Sequence, residues 1–472
     1  MNDLQDYQVD HLVLLVGSNP LPNAVAGKLL TAPGGTITLI HSEDGFPLAR
    51  RLRAWLRHEG YADIEVFQVQ ESNADSVREK VFAAIEQYES KVAGTNPARA
   101  ARMGLNYTGG SKVMSVHAYR ALEQWASRHK RAAIFSYLDA RTLQMRIEQM
   151  GDRPSLPFSV SLKVEIGIHD LLTLHGWELR KGSPTTTPVL PESATALLAI
   201  HSSEADATIW NDWLYESLFR SARKPDFIDP PFWVFQAGNE LEGQLEVRQT
   251  KFDSKWKNNT DLRKLAISWP PDLPAFRKAM SNELGQHESY LNLAAGRGKG
   301  CKDEQDFCKW LSGTWLESAV LAALLHCPEE LHLKECSMDL KVKVPDNETE
   351  NTAFQTSGKK AGDTEFQFDV VAIRGYQLFA FSCSTESARE RGGRELLKSK
   401  LFEAYVRARQ MGGDEACVAL ICCMEQDKVG KLQKEMRREI SPEGRIQVFG
   451  RERLANLTEY IADWIRQQSK EG

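Results

Sequence analysis

Met103-Gly-Leu-Asn-Tyr-Thr-Gly-Gly-Ser-Lys-Val-Met114 is the most informative stretch of this chain. Its apolar start ends at Asn106, a turn follows through Thr108-Gly109-Gly110, and an amphipathic helix begins at Ser111. A helix that begins just beyond a strand directs unpaired backbone N–H groups and its positive dipole end at one point, which suits phosphate. The two glycines let a ligand approach the backbone, and Lys112 adds a positive charge. The residue order is not that of a Walker A loop, and a plain turn capped by Ser111 is an alternative interpretation.

A second polar loop, near the N-terminus, favours ligand binding. The apolar run His11-Leu-Val-Leu-Leu-Val16 predicts a buried strand, and Gly17-Ser-Asn-Pro-Leu-Pro-Asn23 leads from it into a helical stretch. The carboxyl ends of parallel strands meet at one edge of a sheet, where open α/β sheets bind their ligands. The predicted pocket, for a phosphorylated or nucleotide-like ligand, is lined by Ser18, Asn19, Pro20, Asn106, Thr108, Gly109, Gly110, Ser111 and Lys112.

The two loops together resemble the CARF domain of CRISPR-associated ancillary proteins. The resemblance rests on Gly17-Ser-Asn-Pro20 and on Asn106-Tyr-Thr-Gly-Gly-Ser-Lys112, about ninety residues further on. It implies a Rossmann-like sensor domain over residues 1–180, which forms a homodimer and binds a cyclic oligoadenylate made by type III CRISPR complexes. Cyclic tetra-adenylate is the favoured activator, because two loops per protomer, doubled by symmetry, suit a four-fold ring.

The composition is that of a soluble globular protein. Of its 472 residues, 42% are hydrophobic and 26% charged, and the length predicts about two to four domains. The net charge of −5 means that any contact with nucleic acid must come from local basic patches. The eight cysteines do not look like a disulfide framework, and we recognise neither a membrane span nor a signal peptide. We therefore expect a cytoplasmic protein.

The first 150 residues alternate between strand-like and helix-like patterns. Repeated βα units of this kind predict a mostly parallel sheet with helices on both faces. Residues 143–148 are expected to pair with the preceding strand as a hairpin at the edge of the sheet. The other predicted strands cover 36–41, 64–69 and 132–138, and the predicted helices 47–58, 73–92 and 111–129.

The middle of the chain is less regular. The Pro-, Thr- and Ser-rich stretch at 181–192 predicts a linker, followed by an α+β segment of unknown fold at 193–302, with a strand at Gly243–Arg248 and a helix at Asp272–Leu284. Basic residues beside an aromatic ring can bind single-stranded nucleic acid, although a charged face beside a core tryptophan is the simpler explanation. Scattered tryptophans include Trp210, Trp213 and Trp233, and the basic residues around Trp256 are Lys251, Lys255, Lys257, Arg263 and Lys264.

A third unit, at 303–472, contains two carboxylates in apolar surroundings. Its pattern is helix, three strands, helix and strand, which predicts a mixed α/β core. Glu317 falls within the apolar stripe of the first helix, and Asp369 interrupts an apolar strand. A buried carboxylate is costly unless a metal ion or a basic partner compensates it. Pairing with an arginine would explain either residue alone, whereas the two together favour a metal site.

The C-terminal unit resembles the PD-(D/E)xK, restriction-endonuclease-like nuclease domain that is found behind CARF domains. The matching residues are Gly313-Thr-Trp-Leu-Glu317, Phe368-Asp-Val370, Phe381-Ser-Cys383 and Gly412-Gly413. The resemblance implies that Asp369 binds Mg²⁺ or Mn²⁺ with assistance from Glu317. It further implies a metal-dependent endonuclease with little sequence specificity, acting on single-stranded or supercoiled DNA, with RNA as an alternative substrate.

This chain departs from that nuclease pattern on its third strand. Glu-x-Lys is expected there, but the positions hold Ser382-Cys383-Ser384. A lysine on the following helix can reach the same site, and Lys400 lies closer than Lys398 to the apolar stripe of that helix. We therefore predict Lys400 as the catalytic cation and Lys398 as second choice, although Lys400 could instead form a surface ion pair with Glu403. Glu386 and Glu403 are candidate replacements for the missing carboxylate. The alternative function is a catalytically inactive CARF sensor that regulates DNA or a protein partner.

Overall fold

The structure is a computed structural model that describes residues 3–92, 101–150, 154–224, 255–343, 366–386, 393–440 and 445–468. The predictions made for Trp233, Gly243–Arg248 and Lys251 lie outside these residues. No helix within the described ranges is long and apolar enough to cross a membrane.

The N-terminal unit is built around a seven-stranded sheet in the order β3-β2-β1-β4-β5-β6-β7. The first five of its strands in sequence are parallel, while β6 and β7 are antiparallel additions, so the predicted mostly parallel sheet is confirmed. The prediction that residues 143–148 form the edge is wrong, because β7 pairs outside β6. The strands are β1 Val9–Leu15, β2 Thr31–His41, β3 Ile64–Gln68, β4 Met103–Asn106, β5 Ala133–Asp139, β6 Gln144–Gln149 and β7 Leu156–Ser159.

Helices cover both faces of this sheet. Because side chains alternate along a strand, Leu12 and Leu14 of β1 lie in one core while Val13 and Leu15 lie in another. The first core also contains residues of α1 and α2, and the second contains residues of α3 and α4. The helices of this unit are α1 Leu21–Leu30, α2 Phe46–His58, α3 Ala74–Val92, α4 Lys112–His129 and α5 Ile168–His175.

The C-terminal unit contains a six-stranded sheet in the order β15-β14-β13-β12-β11-β8. Strands β11, β12 and β13 are antiparallel, and β13, β14 and β15 are parallel. The predicted mixed α/β core and its element order are therefore confirmed. The strands are β8 Glu178–Leu179, β11 Leu333–Lys343, β12 Phe366–Arg374, β13 Gln377–Ser384, β14 Cys417–Cys422 and β15 Ile446–Phe449.

Two helices of this unit lie on opposite faces of its sheet. Val370 packs in the same core as α9, whereas its neighbour Val371 packs in the same core as α10. Leu397 and Leu401 of α10 also share their core with Leu14 of the N-terminal unit, so the two units are packed together. The helices are α9 Trp315–Leu325, α10 Gly393–Gly412, α11 Gln426–Glu439 and α12 Leu457–Gln468.

The middle segment packs against the α9 side of the C-terminal sheet. Trp210 and Trp256 are 0% and 1% exposed and share a core with Trp315. Trp256 is therefore a core residue, and the hypothesis that it stacks on a base is contradicted. Lys257 donates to the Ser221 carbonyl. The segment contains α7 Glu204–Trp213, α8 Pro274–Leu284, β9 Ala266–Ser268 and β10 Tyr290–Asn292, with short helical turns at Arg220–Ala222 and Asn259–Leu262. Helix α6 Pro191–Ser202 leads into it, and a further short turn at Glu304–Lys309 follows it.

The segment predicted as a linker lies along the outer side of β11. Thr185 and Met338 exchange two backbone hydrogen bonds of 2.9 and 2.8 Å. Strand β8, which precedes this segment in sequence, pairs with β11 closer to its C-terminal end, where Leu179 lies opposite Val342. Residues before and within 181–192 therefore help to fix β11, which carries part of the second site described below.

Two candidate functional sites

The two polar loops of the N-terminal unit are in direct contact. A Cβ atom on Gly17 would lie 2.7 Å from the Gly110 nitrogen, and one on Gly109 would lie 2.1 Å from the Leu15 carbonyl oxygen. Only glycine fits such close backbone approaches. Gly110 also has a φ of 74°, a left-handed conformation that glycine adopts without strain. The structure therefore brings the two predicted loops together at the carboxyl edge of the parallel strands.

Several side chains of the second loop maintain its shape. Asn106 is buried and its amide donates to the Ser136 hydroxyl at 3.0 Å, while the Thr108 hydroxyl accepts from the Leu138 N–H at 2.7 Å. Ser111 caps α4 by accepting from Met114 at 3.2 Å. These side chains are used within the fold, so contacts with an anion would come mainly from backbone N–H groups at the start of α4 and from the exposed Lys112.

Asn19 of the first loop contacts the C-terminal unit. Its amide nitrogen donates to Glu415 Oε2 at 3.1 Å, and its amide oxygen accepts from the Leu21 N–H at 3.1 Å. A Cβ on Gly413 would lie 2.3 Å from the same amide nitrogen. Pro20 precedes α1, and Ser18 remains exposed. The Asn19 amide is thus engaged with Glu415, and its predicted ligand contact stays a prediction.

Glu415 belongs to a buried polar cluster at the junction of the two units. Burial raises the pKa of its carboxyl, and the bond from Asn19 and the charge of Arg445 oppose that rise. Arg445 donates to the Glu415 carbonyl at 2.7 Å and to the Arg141 carbonyl at 3.2 Å, with a further bond to Ala140. The loop at Asn19 and the β5–β6 turn are therefore both bonded to one cluster. A cavity of about 410 Å³ lies beside it.

A second candidate site lies where α9 approaches β11 and β12. Asp369 on β12 accepts hydrogen bonds from the Cys383 N–H at 2.7 Å and from the Ser382 hydroxyl at 3.4 Å. Glu317 lies in the first turn of α9. Burial raises the pKa of Glu317 well above its ordinary value, the charges of Asp369 and Asp339 raise it further, and Lys400 lowers it. The structure therefore brings Glu317 and Asp369 into one electrostatic cluster.

The pKa of Asp369 is raised for a similar reason. Burial is the largest cause, the bond from the Cys383 N–H and the charge of Lys400 oppose it, and Asp339 adds a smaller rise. Both carboxyl groups are thus short of positive charge in the folded protein. A divalent cation would supply the missing positive charge, so the two carboxyl groups are suited to hold such an ion.

The two candidate lysines point in different directions. The Lys400 ammonium lies 3.4 Å from the Cys383 carbonyl oxygen and acts on both Glu317 and Asp369. Lys398 instead forms ion pairs with Glu435 at 2.5 Å and Glu439 at 3.0 Å, both on α11. The geometry favours Lys400 as the cation of this site and places Lys398 outside it.

The additional carboxylate of the cluster is Asp339 on β11, which sequence reasoning missed. Glu403 is exposed on α10, and Glu386 follows β13 with its N–H directed to the Ser384 hydroxyl. Beside burial, which is the largest cause, the charge of Asp339 contributes to the raised pKa of both Glu317 and Asp369. The sequence does contain a signal for Asp339, because Asp339-Leu340-Lys341 places two charged residues two positions apart at the start of a strand-like pattern.

The donor set is compatible with a magnesium or manganese ion. Carboxylate oxygens are the ligands that these hard cations prefer, and Glu317 and Asp369 are the residues that would hold one. Within the described ranges, no group of three or more His, Cys, Asp or Glu side chains is arranged so that it could hold a metal ion. Any ion would therefore complete its coordination with water and substrate oxygens, as Mg²⁺ commonly does.

The comparisons with known proteins establish the fold. No family model matches the chain, and no curated protein matches it in sequence. Among solved structures, it is similar to Can2 from Sulfobacillus thermosulfidooxidans in complex with cyclic tetra-adenylate, with a TM-score of 0.58, 13% identity, and 98% and 99% of the two chains covered. It is also similar to protein VC1899 from Vibrio cholerae, with a TM-score of 0.55, 13% identity, and 97% and 98% covered. At this identity the likeness defines the α/β architecture of nearly the whole chain.

Proposed function

We propose that this chain is a cyclic oligoadenylate-activated, metal-dependent nuclease of type III CRISPR antiviral defence. The observation that carries the proposal is the meeting of Glu317, Asp369 and Lys400 in one electrostatic cluster. Its support is the fold, since Can2, which matches over 98% of this chain, was solved with cyclic tetra-adenylate bound.

The N-terminal unit is the proposed sensor, a CARF domain that acts as a homodimer. The ligand would lie across the two-fold axis on the contacting loops of Gly17 and Gly109-Gly110, where a helix begins. Backbone N–H groups at the start of α4 bind its phosphates, and the exposed Lys112 adds a charge-assisted contact. Cyclic tetra-adenylate is the favoured ligand.

The C-terminal unit is the proposed PD-(D/E)xK-like nuclease. When bound at Glu317 and Asp369, Mg²⁺ or Mn²⁺ polarises the scissile phosphate and lowers the pKa of the attacking water. Asp369 is oriented for this by the Cys383 N–H. Lys400, fixed beside the Cys383 carbonyl, stabilises negative charge that develops on the phosphate in the transition state.

The proposed gate lies where Asn19 meets Glu415. The same loop that follows β1 is bonded to the C-terminal unit, so a ligand that moves this loop changes the packing of the two units. A ligand shifts such an equilibrium only by its differential affinity for the two arrangements. Activator binding therefore selects the arrangement in which the nuclease site is open to nucleic acid.

The proposed activity is tested with purified protein, Mn²⁺ and cyclic tetra-adenylate, using supercoiled plasmid, single-stranded DNA and single-stranded RNA as substrates. Cleavage of at least one polymer is expected in the wild type and none in Asp369→Asn, which keeps the side-chain shape but loses the charge. Cleavage that persists in Asp369→Asn, or after removal of divalent ions, would refute a metal-dependent site at this position.

One observation favours a second candidate function. Ser382 and Ser384 occupy the positions where a carboxylate and a lysine are expected, so the third strand supplies no charge. A catalytically inactive sensor that regulates DNA or a protein partner would have this property. Tight binding of cyclic tetra-adenylate, together with no cleavage of any polymer by the wild type, would favour that function.

A further inference from the structure

Asp369 lies in the middle of three antiparallel strands and has a neighbour on each side. On β11 the residue between the pairs that flank Asp369 is Asp339, and on β13 the Ser382 hydroxyl donates to the Asp369 carboxylate at 3.4 Å. Residues directly opposite each other in an antiparallel pair have Cβ atoms about 4.5–5.5 Å apart, which places Asp339 close to Asp369. The register on the β11 side is defined by the pairs Met338–Val370, Leu340–Phe368 and Lys341–Gln367.

The two flanking strands differ in the charge that they bring. On β13 the residue bonded to Asp369 is Ser382, and two residues further on is Ser384; neither carries a charge. On β11 the mirror positions are Asp339 and Lys341, which carry a carboxylate and an ammonium group. The acid and base missing on one side of β12 are thus present, at the same spacing, on its other side.

The backbone holds this pair in an unusual conformation. Asp339 has a φ of 56°, in the left-handed region that a residue other than glycine adopts at a cost. The Ser183 hydroxyl stabilises it by donating to the Asp339 carbonyl at 2.6 Å and accepting from the Lys341 N–H at 2.7 Å. The Lys341 ammonium lies 2.7 Å from the Asp339 carboxylate. Both side chains are therefore fixed on one side of the strand.

Both side chains reach the acidic cluster and also face solvent. The Asp339 charge raises the pKa of Glu317 and of Asp369, and the Lys341 charge lowers the pKa of Glu317. The Asp339 and Lys341 side chains are 27% and 30% exposed, so a phosphate that arrives from solution can contact them.

We propose that Asp339 and Lys341 are catalytic residues of this site, Asp339 binding the divalent ion beside Asp369 and Lys341 contacting the scissile phosphate. The inference rests on the proposed nuclease function and extends it. In the structure Lys341 forms an ion pair with Asp339. A divalent ion held by Asp339 and Asp369 would replace Lys341 as the counter-charge of the Asp339 carboxylate, because it carries twice the charge of an ammonium group, and Lys341 would then be available to bind phosphate.

The reaction served by this pair is hydrolysis of a phosphodiester. The oxygen of a water molecule bonds to phosphorus, and the bond from phosphorus to the leaving sugar oxygen breaks. The attacking water loses one proton to solvent, and the leaving oxygen takes one proton from solvent, so no other reactant is needed. Lys341 stays protonated throughout and stabilises the charge on the phosphate oxygens.

The test uses four variants and two measurements. Asp339→Asn and Asp339→Gly remove the charge, and both residue types tolerate the left-handed backbone, so folding is preserved. Lys341→Ala removes the ammonium group. Lys343→Ala is the matched control, since Lys343 lies on the same strand and pairs with Glu178 at 3.4 Å. Mn²⁺ affinity is measured by calorimetry without substrate, and cleavage is measured at saturating Mn²⁺.

The roles proposed for Asp339 and Lys341 lead to different expected results. Asp339→Asn and Asp339→Gly should each weaken Mn²⁺ binding by about 10- to 100-fold. Lys341→Ala should bind Mn²⁺ at least as tightly as the wild type, yet lose about 10²–10³ in rate. Wild-type Mn²⁺ affinity in both Asp339 variants, or wild-type rate in Lys341→Ala, would overturn the inference. If the wild type cleaves nothing, the proposed function fails, whereas the Mn²⁺ titrations still decide the role of Asp339.

Discussion

The separation of Lys398 and Lys400 shows how much one residue's position on a helix matters. Side chains two positions apart on an α-helix point in directions that differ by about 200°, so Lys398 and Lys400 cannot face the same partner. Lys398 is held by Glu435 and Glu439 on α11, whereas Lys400 lies beside the Cys383 carbonyl and the acidic cluster. The sequence left both residues as candidates, and the structure separates them.

We expect Lys400→Ala to lower the cleavage rate by about 10²–10³, because it removes positive charge from beside the reacting phosphate. Lys398→Ala is the matched control and should keep its rate, because it loses only solvent-screened ion pairs with α11. Single-turnover cleavage at saturating Mn²⁺ and activator makes the measurement. Full activity in Lys400→Ala would remove this lysine from the mechanism.

The raised pKa of Glu317 predicts a pH-dependent stability in the absence of divalent ions. Its folded-state pKa lies above the ordinary 4.5, so as pH rises the unfolded chain releases this proton first. The stability contributed by the group is complete below pH 4.5 and is lost as pH rises through the folded pKa. Glu317→Gln cannot ionise, so we expect it to be more stable than the wild type at pH 8 in EDTA.

That stabilisation should shrink as the pH falls towards 4.5. Urea unfolding at several pH values measures it, with the exposed Glu403→Gln as a control that changes little. A stability difference between Glu317→Gln and the wild type that is the same at every pH would contradict a buried, ionisable Glu317.

The start of α4 is the element that we propose binds the phosphates of the ligand. The helix is capped by Ser111 and begins with the exposed Lys112. Lys112→Ala should weaken binding of cyclic tetra-adenylate by about 1.5–3 kcal/mol, because a charge-assisted contact is lost. Arg128→Ala, at the other end of the same helix, should bind as the wild type does. Calorimetry measures the affinity for cyclic tetra-adenylate, and equal affinities in Lys112→Ala and the wild type would rule out this contact.

The loop between β1 and α1 is the element that should transmit ligand binding. Asn19→Ala removes the bond to Glu415, and we expect stimulation at saturating activator to fall by about 5- to 150-fold, the usual range of an allosteric coupling. Ser18→Ala in the same loop changes an exposed side chain, so it should reach full stimulation once ligand is saturating. Undiminished stimulation of Asn19→Ala would exclude this contact as the gate.

For the whole molecule, periodic patterns predicted most of the architecture. Alternating βα units and the order of elements around Asp369 follow from local hydrophobic spacing, and both agree with the structure. The partner of Asn19 could not be predicted, because Glu415 is 396 residues away in sequence. Asp339 was missed because its role depends on a left-handed backbone conformation and on strand register, which spacing alone does not encode.

We propose that ligand binding at the N-terminal sheet controls cleavage at the C-terminal sheet. The most direct test of this control measures cleavage rate against cyclic tetra-adenylate concentration, beside a calorimetric binding curve for the same protein. We predict a low basal rate, strong stimulation, and half-maximal cleavage at the concentration that half-saturates binding. Lys112→Ala should move both curves together to higher concentration and leave the plateau unchanged. Equal cleavage with and without the ligand, although the ligand binds, would contradict the account.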